Sequence, residues 1–533
     1  MKKRIVACPA CAAPVEFKLS TSLVTVCDFC HSVVARADKK VEDHGKVADL
    51  VETNSPIHRG LSGKYEKKRF EVVGRVQYQH PAGGVWNEWY LRFPQDKVGW
   101  LAEAQGKFYL MFERRFADEA ELPSFESLDV GHRFQSSAES PPDKSSTGGG
   151  YVVAEKGIAT AATADGEIPW AFRQNAEHRF ADLHGEGDEF GTLEYSGDRP
   201  RGFFGHEVSL ADLRLESDGW ASALPAGPNT PALHVNCPKC GGPLTLFAPD
   251  QSQRVTCGSC HSLLDCGQGK LEYLQTLSGR GIDKPLIPLG SVGKLFDTEY
   301  TVIGFMGRFA VWEGKHFPWT EYLLYNPAKG FRWLVRNQGH WSFVEAVPLS
   351  KVTQRGDRAD VGFDGREFKL YDRGAAHVQF VVGEFYWRVT TEEKVHTSDY
   401  IAPPLMLSFE RTMTDKGSEE NVSLGKYISV EEIEAAFNLQ DLPRPFAVGT
   451  IQPQPSRADV WGMWVCFASL LALLDFIFVS GALKQPVAQF HFFAAQTIVL
   501  AWPILMLFGR HTFEVNRWSN SDFSPYATSE SEE

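Results

Sequence analysis

At 533 residues with 43% hydrophobic side chains, the chain is long enough for several domains with proper cores, which excludes a disordered protein. Its net charge of -13 at pH 7 argues against a nucleic-acid coat, because displacing counterions needs a basic surface. Eight of its ten cysteines fall in Cys-x-x-Cys knuckles and only Cys266 and Cys466 stand apart, so the evenly spread disulfide framework of a secreted protein is excluded and a reducing cytosol fits.

The first knuckle, Cys8-Pro9-Ala10-Cys11, is separated by 15 residues from Cys27-Asp28-Phe29-Cys30. The same construction returns as Cys237-Pro238-Lys239-Cys240, separated by 16 residues from Cys257-Gly258-Ser259-Cys260. Two tight turns at that spacing point four sulfurs at one tetrahedral ion, so two structural zinc ribbons are expected at 1–36 and 236–270. A closed four-sulfur site leaves no coordination position for water or substrate, and its binding energy is folding energy for a ribbon too small to hold a core. His31 and His261 each follow a fourth cysteine and are expected to be knuckle-stabilising or exposed, the ligand set being full without them. Met1-Lys2-Lys3-Arg4 runs straight into a knuckle, so no secretory signal is expected.

Residues 37–60 are charged and irregular and read as a linker. From Arg69 the pattern turns to period two: Phe70, Val72, Gly74, Val76 and Tyr78 alternate with Glu71, Val73, Arg75 and Gln77, as in a strand with one wetter face. Aromatic runs such as Trp89-Tyr90-Leu91-Arg92-Phe93 continue in the same style.

This β-rich region repeats. Val73-Gly74 aligns with Ile303-Gly304 at an offset of 230, Gly99-Trp100-Leu101 with Arg332-Trp333-Leu334 at 233, and Gly166-Glu167-x-x-Trp170 with Gly383-Glu384-x-x-Trp387 at 217. A loop over residues 136–150, found in the first copy alone, accounts for the last drop. Asp165-Gly166 predicts a hairpin turn, as does Gly383, and Trp170 and Trp387 are expected to pack in the sheets. Ser209 with Asp212 and Ser429 with Glu432 predict capping boxes that open short helices. Prolines mark residues 224–231 and 439–456 as stiff linkers.

On Val73-Gly74, Gly166-Glu167-x-x-Trp170 and Gly205-x-x-x-Ser209, with their counterparts Ile303-Gly304, Gly383-Glu384-x-x-Trp387 and Gly425-x-x-x-Ser429, the chain resembles the bacterial domain-of-unknown-function family 4178. The resemblance covers residues 61–217 and 285–438. It implies a compact β-rich domain, often beside zinc ribbons or membrane segments and encoded near polyamine-synthesis or other membrane proteins, with no assigned catalytic residues.

Residues 461–483 and 490–509 are apolar runs of 23 and 20 residues, each long enough to cross a hydrocarbon core of about 30 Å. They predict a transmembrane hairpin at 461–509 and a cytoplasmic tail at 510–533. Arg444 and Arg457 before it and Arg510 and Arg517 after it place both ends in the cytoplasm, hence a bacterial inner membrane. Asp475 lies within the first span, where a carboxylate costs about 2.5–3.5 kcal/mol, and is expected to hydrogen-bond Gln496 of the second, within the hairpin or between protomers.

Chemistry is scarce by comparison. Gly290-x-x-Gly293-Lys294 misses the spacing and the hydroxyl of a phosphate loop, Gly185-x-Gly187-x-x-x-Gly191 is a residue too long for a dinucleotide fingerprint, and His206-Glu207 has no second histidine. The expectation is a mainly β protein: two repeats of zinc ribbon plus β-rich domain, then the membrane hairpin. Its function would be a bilayer-anchored binding or scaffold module for a protein or small polar ligand, able to form homo-oligomers, with nucleic acid a poor partner. The alternative is an enzyme or enzyme subunit at the membrane, linked to polyamine metabolism, whose mark would be polar residues converging in one deep cleft.

Overall fold

The computed structural model describes residues 4–17, 22–37, 40–46, 55–81, 85–104, 107–114, 122–135, 150–170, 172–197, 199–216, 233–248, 252–266, 271–277, 284–312, 314–327, 329–355, 360–455, 460–478 and 486–526. The chain is mainly β, as its alternating patterns predict. The loop 136–149, the linker at 224–231 and the last acidic residues lie outside the described residues.

Each β-rich region closes into an eight-stranded antiparallel barrel. The first uses β1 (Lys68–Gln79), β2 (Val85–Arg92), β3 (Val98–Ala104), β4 (Lys107–Arg114), β5 (Gly150–Ile168), β6 (Glu177–His184), β7 (Glu189–Glu194) and β8 (Arg201–Val208). Around the barrel the order is β1-β2-β3-β4-β8-β7-β6-β5, and β5 closes onto β1. The second repeats this with β9 (Thr298–Trp312), β10 (Lys315–Asn326), β11 (Gly330–Asn337), β12 (His340–Val347), β13 (Arg366–Phe385), β14 (Lys394–Ala402), β15 (Leu405–Thr414) and β16 (Gly417–Ile428). Its order is β9-β10-β11-β12-β16-β15-β14-β13, closing on β9. Closure leaves no unpaired edge for aggregation.

The barrels join along one seam, where Glu155, Lys156 and Gly157 of β5 pair with Glu419, Ser418 and Gly417 of β16. Val152 completes an apolar cluster with Leu349, Val352 and Phe368 of the second barrel. On the outer wall of the first barrel, Phe70, Leu91 and Phe108 pack under Leu213 of α1 (Leu210–Leu213). Ile433 and Phe437 of α2 (Val430–Phe437) cover the second in the same way. Both helices open with the expected capping boxes, Ser209 with Asp212 and Ser429 with Glu432.

Three expectations are corrected. Lys40–Lys46 is a strand paired with Ser32–Ala37, and Glu272–Thr276 pairs with Ser262–Asp265, so both ribbons continue beyond the stretches read as ribbon. Gly166 and Gly383 turn no hairpin; β5 and β13 run through them, at φ of 69° and 88°. Gly166 pairs with Gly74 and Gly383 with Gly304, and a Cβ on Gly74 would stand 1.9 Å from the Glu167 carbonyl. The glycines let two strands cross too closely for any side chain, a tertiary demand that a dipeptide signal does not carry. Residues 510–517, read as tail, finish helix α4 (Pro486–Arg517), and Trp518 packs on Tyr371, Ile401 and Ile451 of the second barrel.

Candidate metal centres and ligand cavity

In the first ribbon the four knuckle sulfurs converge, with Cys8 and Cys30 Sγ 3.7 Å apart and Cys11 and Cys27 also 3.7 Å apart. In the second, Cys237 and Cys260 are 3.8 Å apart and Cys240 and Cys257 3.7 Å. All four ligand atoms of each group lie within 4.8 Å of one another, an arrangement that can hold a metal ion. His31 and His261 stay outside both groups. They are exposed, sit at φ of 56° and 53°, and each donates its backbone N–H to the carbonyl of Cys27 or Cys257, at 2.9 Å, to close the knuckle.

Each ribbon is fastened to its barrel through the Gly-Glu motif. Beyond the glycine crossing β5 pairs with the first ribbon, Glu167 opposite Thr25, and β13 with the second, Glu384 opposite Val255. The Glu384 carboxylate is 1% exposed and accepts from the Phe247 N–H at 2.6 Å, the Ala248 N–H at 3.0 Å and the Ser252 hydroxyl at 2.9 Å. Glu167 accepts from the Ser22 hydroxyl at 2.8 Å. Burial pushes the Glu384 carboxyl above its ordinary range while those three donors pull it down. Glu384→Ala is expected to cost about 2–4 kcal/mol by leaving three donors unmet, and to expose residues 252–256 to hydrogen exchange; Glu384→Gln, which keeps one acceptor, costs less. The motif is thus a latch, a role that only the fold reveals.

The second feature is a cavity of about 1720 Å³ lined from both barrels. Its walls are mostly apolar, with carboxylates set among them at inward-facing strand positions. Glu88 faces Val76 and Ala102 in neighbouring strands, and Asp182 faces Thr192 and Glu155. Residues directly opposite share a face, and contacts across the barrel, such as Trp86 of β2 with Phe180 of β6 at 5.5 Å, place that face inside. Trp170 also packs inside, stacked on Trp100 at 4.5 Å, and Trp387 meets Trp333 at 5.5 Å, as expected of packing aromatics.

The constellation occurs twice, by the register of the strands. Glu321 faces Met306 and Val335 as Glu88 faces Val76 and Ala102. Asp399 faces Ser408 as Asp182 faces Thr192, and Glu410 stands where Glu194 does. In each barrel a hydroxyl donates to the aspartate, Thr192 to Asp182 at 2.8 Å and Ser408 to Asp399. Burial raises Asp182 and Asp399 to about 7, against Thr192 and Ser408, and pushes Glu88 and Glu321 above the usual carboxylate range.

A raised aspartate binds its proton more tightly in the folded chain, so its contribution is present at low pH and lost as pH rises from about 4 to about 7. Asp399→Asn keeps an acceptor for Ser408 and removes that loss. It should match the wild type below about pH 4 and exceed it at pH 8 by up to about 4 kcal/mol, read by denaturant unfolding of the second barrel. Equal stabilities at pH 8 would show that Asp399 titrates normally.

At the C-terminus, α3 (Val460–Phe478) contacts α4, and Gln496–Arg517 is long and apolar enough to cross a membrane by length and composition. The expected hairpin is therefore only partly present among the described residues: the joining residues 479–485 and the side chain of Asp475 lie outside them. Gln496 is on α4.

Residues 58–210 and 288–430 match a family model described as Domain of unknown function (DUF4178). The two matches coincide with the two barrels and with the glycine crossings, latches and carboxylates just described. No curated protein matches the chain.

Proposed function

The chain belongs to the DUF4178 family, in two copies, and on that premise we propose that it is a membrane-anchored binding module whose barrels enclose a small polar ligand. The observation that carries this reading is the set of buried carboxylates facing one cavity of about 1720 Å³. Buried acids without a structural need are expensive, and a fold that repeats them at matching positions in two barrels puts them to use. A concave site lined by strands of both barrels favours a small ligand over a flat protein-docking face.

Zinc is the metal proposed for both ribbons. A tetrahedron with Zn–S of about 2.3 Å has edges of about 3.8 Å, and the Sγ separations of 3.7–3.8 Å fit it. These ions are structural; they hold the ribbons against the barrels and take no part in ligand chemistry. The bacterial inner membrane is the proposed site of anchorage, with both ends and the barrels cytoplasmic, in keeping with basic residues flanking the apolar runs and with reduced cysteines. Asp475 and Gln496 are proposed to pair inside the bilayer, in one hairpin or between copies.

A second reading, an enzyme at the membrane, is favoured by Asp182 and Asp399, whose carboxyls titrate near neutrality as a general acid or base would. Native mass spectrometry of the detergent-extracted chain separates these ideas. Two zinc ions and a small molecule released unchanged on denaturation are expected. Recovery of the chain in the aqueous fraction, or no ligand held by extracted or added-back protein, would overturn the binding reading, and conversion of the released molecule on re-addition would favour the enzyme.

A further inference from the structure

Among the interior positions at which the two barrels differ, one lies directly beside the repeated glutamate. Two residues before each conserved-register acid stands a tryptophan, Trp86 before Glu88 and Trp319 before Glu321, and each indole N–H donates to its glutamate, at 3.2 and 2.6 Å. Opposite the tryptophan, the neighbouring strand places Tyr78 in the first barrel and Arg308 in the second. Arg308 Nη1 lies 2.7 Å from Glu410 and 3.3 Å from Glu321, with its guanidinium carbon 5.8 Å from the centre of the Trp319 ring. Burial opposes its charge, but Glu410 and Glu321 outweigh burial and hold it protonated. The second barrel thus carries its own cation.

In the first barrel Arg201 faces Glu194, the counterpart of Glu410, while no cation stands beside Glu88 in the place that Arg308 takes beside Glu321. Glu88 is 6% exposed, and its Oε2 has no hydrogen-bond partner among the described residues. Nearby positive groups are committed elsewhere. Arg201 bonds Glu113 at 2.9 Å and reaches Glu194 at 3.6 Å, and His80 bonds Glu155 at 2.5 Å. Burial lowers His178 to about 3, so it is neutral. Around Glu88 the rings form a partial box: Tyr78 stacks on Trp86 at 5.1 Å, Phe180 closes on Trp86 at 5.5 Å, and His178 lies 4.3 Å from Tyr78. A carboxylate inside an aromatic box is the chemistry that recognises an organic cation.

We propose that the lumen of the first barrel binds a small organic cation, with a guanidinium or ammonium head on Glu88 beside the stacked Trp86 and Tyr78 rings, doing for Glu88 what Arg308 does for Glu321. This rests on the reading of the barrels as ligand-binding modules. The second barrel is then a self-filled copy, and a chain with two such domains has one such site.

The test is calorimetry on the full-length, zinc-loaded chain in detergent, with butylguanidinium, butylammonium, butyrate and butyramide as probes. Both cations should bind once per chain and the other two should not. Glu88→Gln should weaken the cations at least tenfold. Tyr78→Arg, which installs the arrangement the second barrel already tolerates, should abolish binding. Arg308→Tyr should raise the stoichiometry from one to two; if that variant does not fold, Tyr78→Arg and Glu88→Gln decide the matter alone. Binding of butyrate or butyramide as strongly as the cations, or cation binding indifferent to both Glu88→Gln and Tyr78→Arg, would overturn the proposal and leave the binding reading intact. Silence from all four probes, with no small molecule on the purified chain, would overturn both.

Discussion

Replacing Cys257 by alanine is expected to halve the metal content of the purified chain and to strip hydrogen-exchange protection from residues 233–277, while residues 4–37 keep theirs. Cys257 is fully buried, its Sγ is 3.7 Å from that of Cys240, and its backbone holds the knuckle through Ser262 and His261. The ribbon's own apolar cluster is little more than Leu244, Leu246, Val255 and Leu264 beside the cysteines. So small a core cannot fold alone, whereas a structural zinc ion brings about 10–16 kcal/mol in comparable sites. Losing one of four thiolates removes enough of that energy to melt the unit. The damage then spreads by a defined route. Phe247, Ala248 and Ser252 leave the Glu384 carboxylate, and the ladder from Val255 to Glu384 opens. The second barrel should therefore lose a further ~2–4 kcal/mol, read as a lower denaturation midpoint, with the first barrel unaffected. A metal content still at two per chain would exclude Cys257 as a ligand.

How far the chain could be read in advance depends on whether a signal is local. Metal chemistry is local: knuckle spacing alone groups Cys8, Cys11, Cys27 and Cys30, and likewise Cys237, Cys240, Cys257 and Cys260, as the fold does. Capping boxes are local too, and the offsets of the repeat locate both family domains. The carboxylates of the lumen were hidden by the same rule that found the strands. Period two separates a wet face from a dry one, but it cannot tell bulk water from a polar interior, so Glu88 and Glu321 look like surface residues until the sheet closes. Asp165-Gly166 carries a turn signal, yet Gly166 is needed because Gly74 crosses it, about 90 residues away in sequence. Arg517 was read as a topology-setting charge beyond an apolar run. Nothing in a single sequence says that the fold buries it.

Arg517→Ala is expected to release the end of α4 from the second barrel at a cost of about 3–5 kcal/mol. The Arg517 side chain is 0% exposed. Its Nη1 donates to the carbonyls of Gly449 at 3.3 Å and Thr450 at 2.9 Å, its Nη2 to that of Gln452 at 2.7 Å, and its Nε to Glu514 at 2.9 Å. The Tyr371 hydroxyl donates to the Arg517 carbonyl at 2.9 Å, and the Trp518 ring lies 5.2 Å from that of Tyr371. Bonds from a charged donor are worth about 1.5–3 kcal/mol each, and truncation takes that donor from three carbonyls and from the half-buried Glu514 carboxylate. Lysine restores the charge but not the planar fork that spans three carbonyls, so Arg517→Lys should fall between the two. The readout is protease sensitivity at residues 449–455, rising strongly in Arg517→Ala and modestly in Arg517→Lys, beside a membrane-pelleting assay that does not change, since α3 and the apolar part of α4 are untouched. Unchanged proteolysis would mean that the contacts of Trp518, Tyr371 and Gln454 suffice to fasten the helix. With Arg517 in place, the barrel is bolted to α4 rather than strung from a slack linker, and the cavity wall that includes Tyr371 and residues 449–451 is built on that joint.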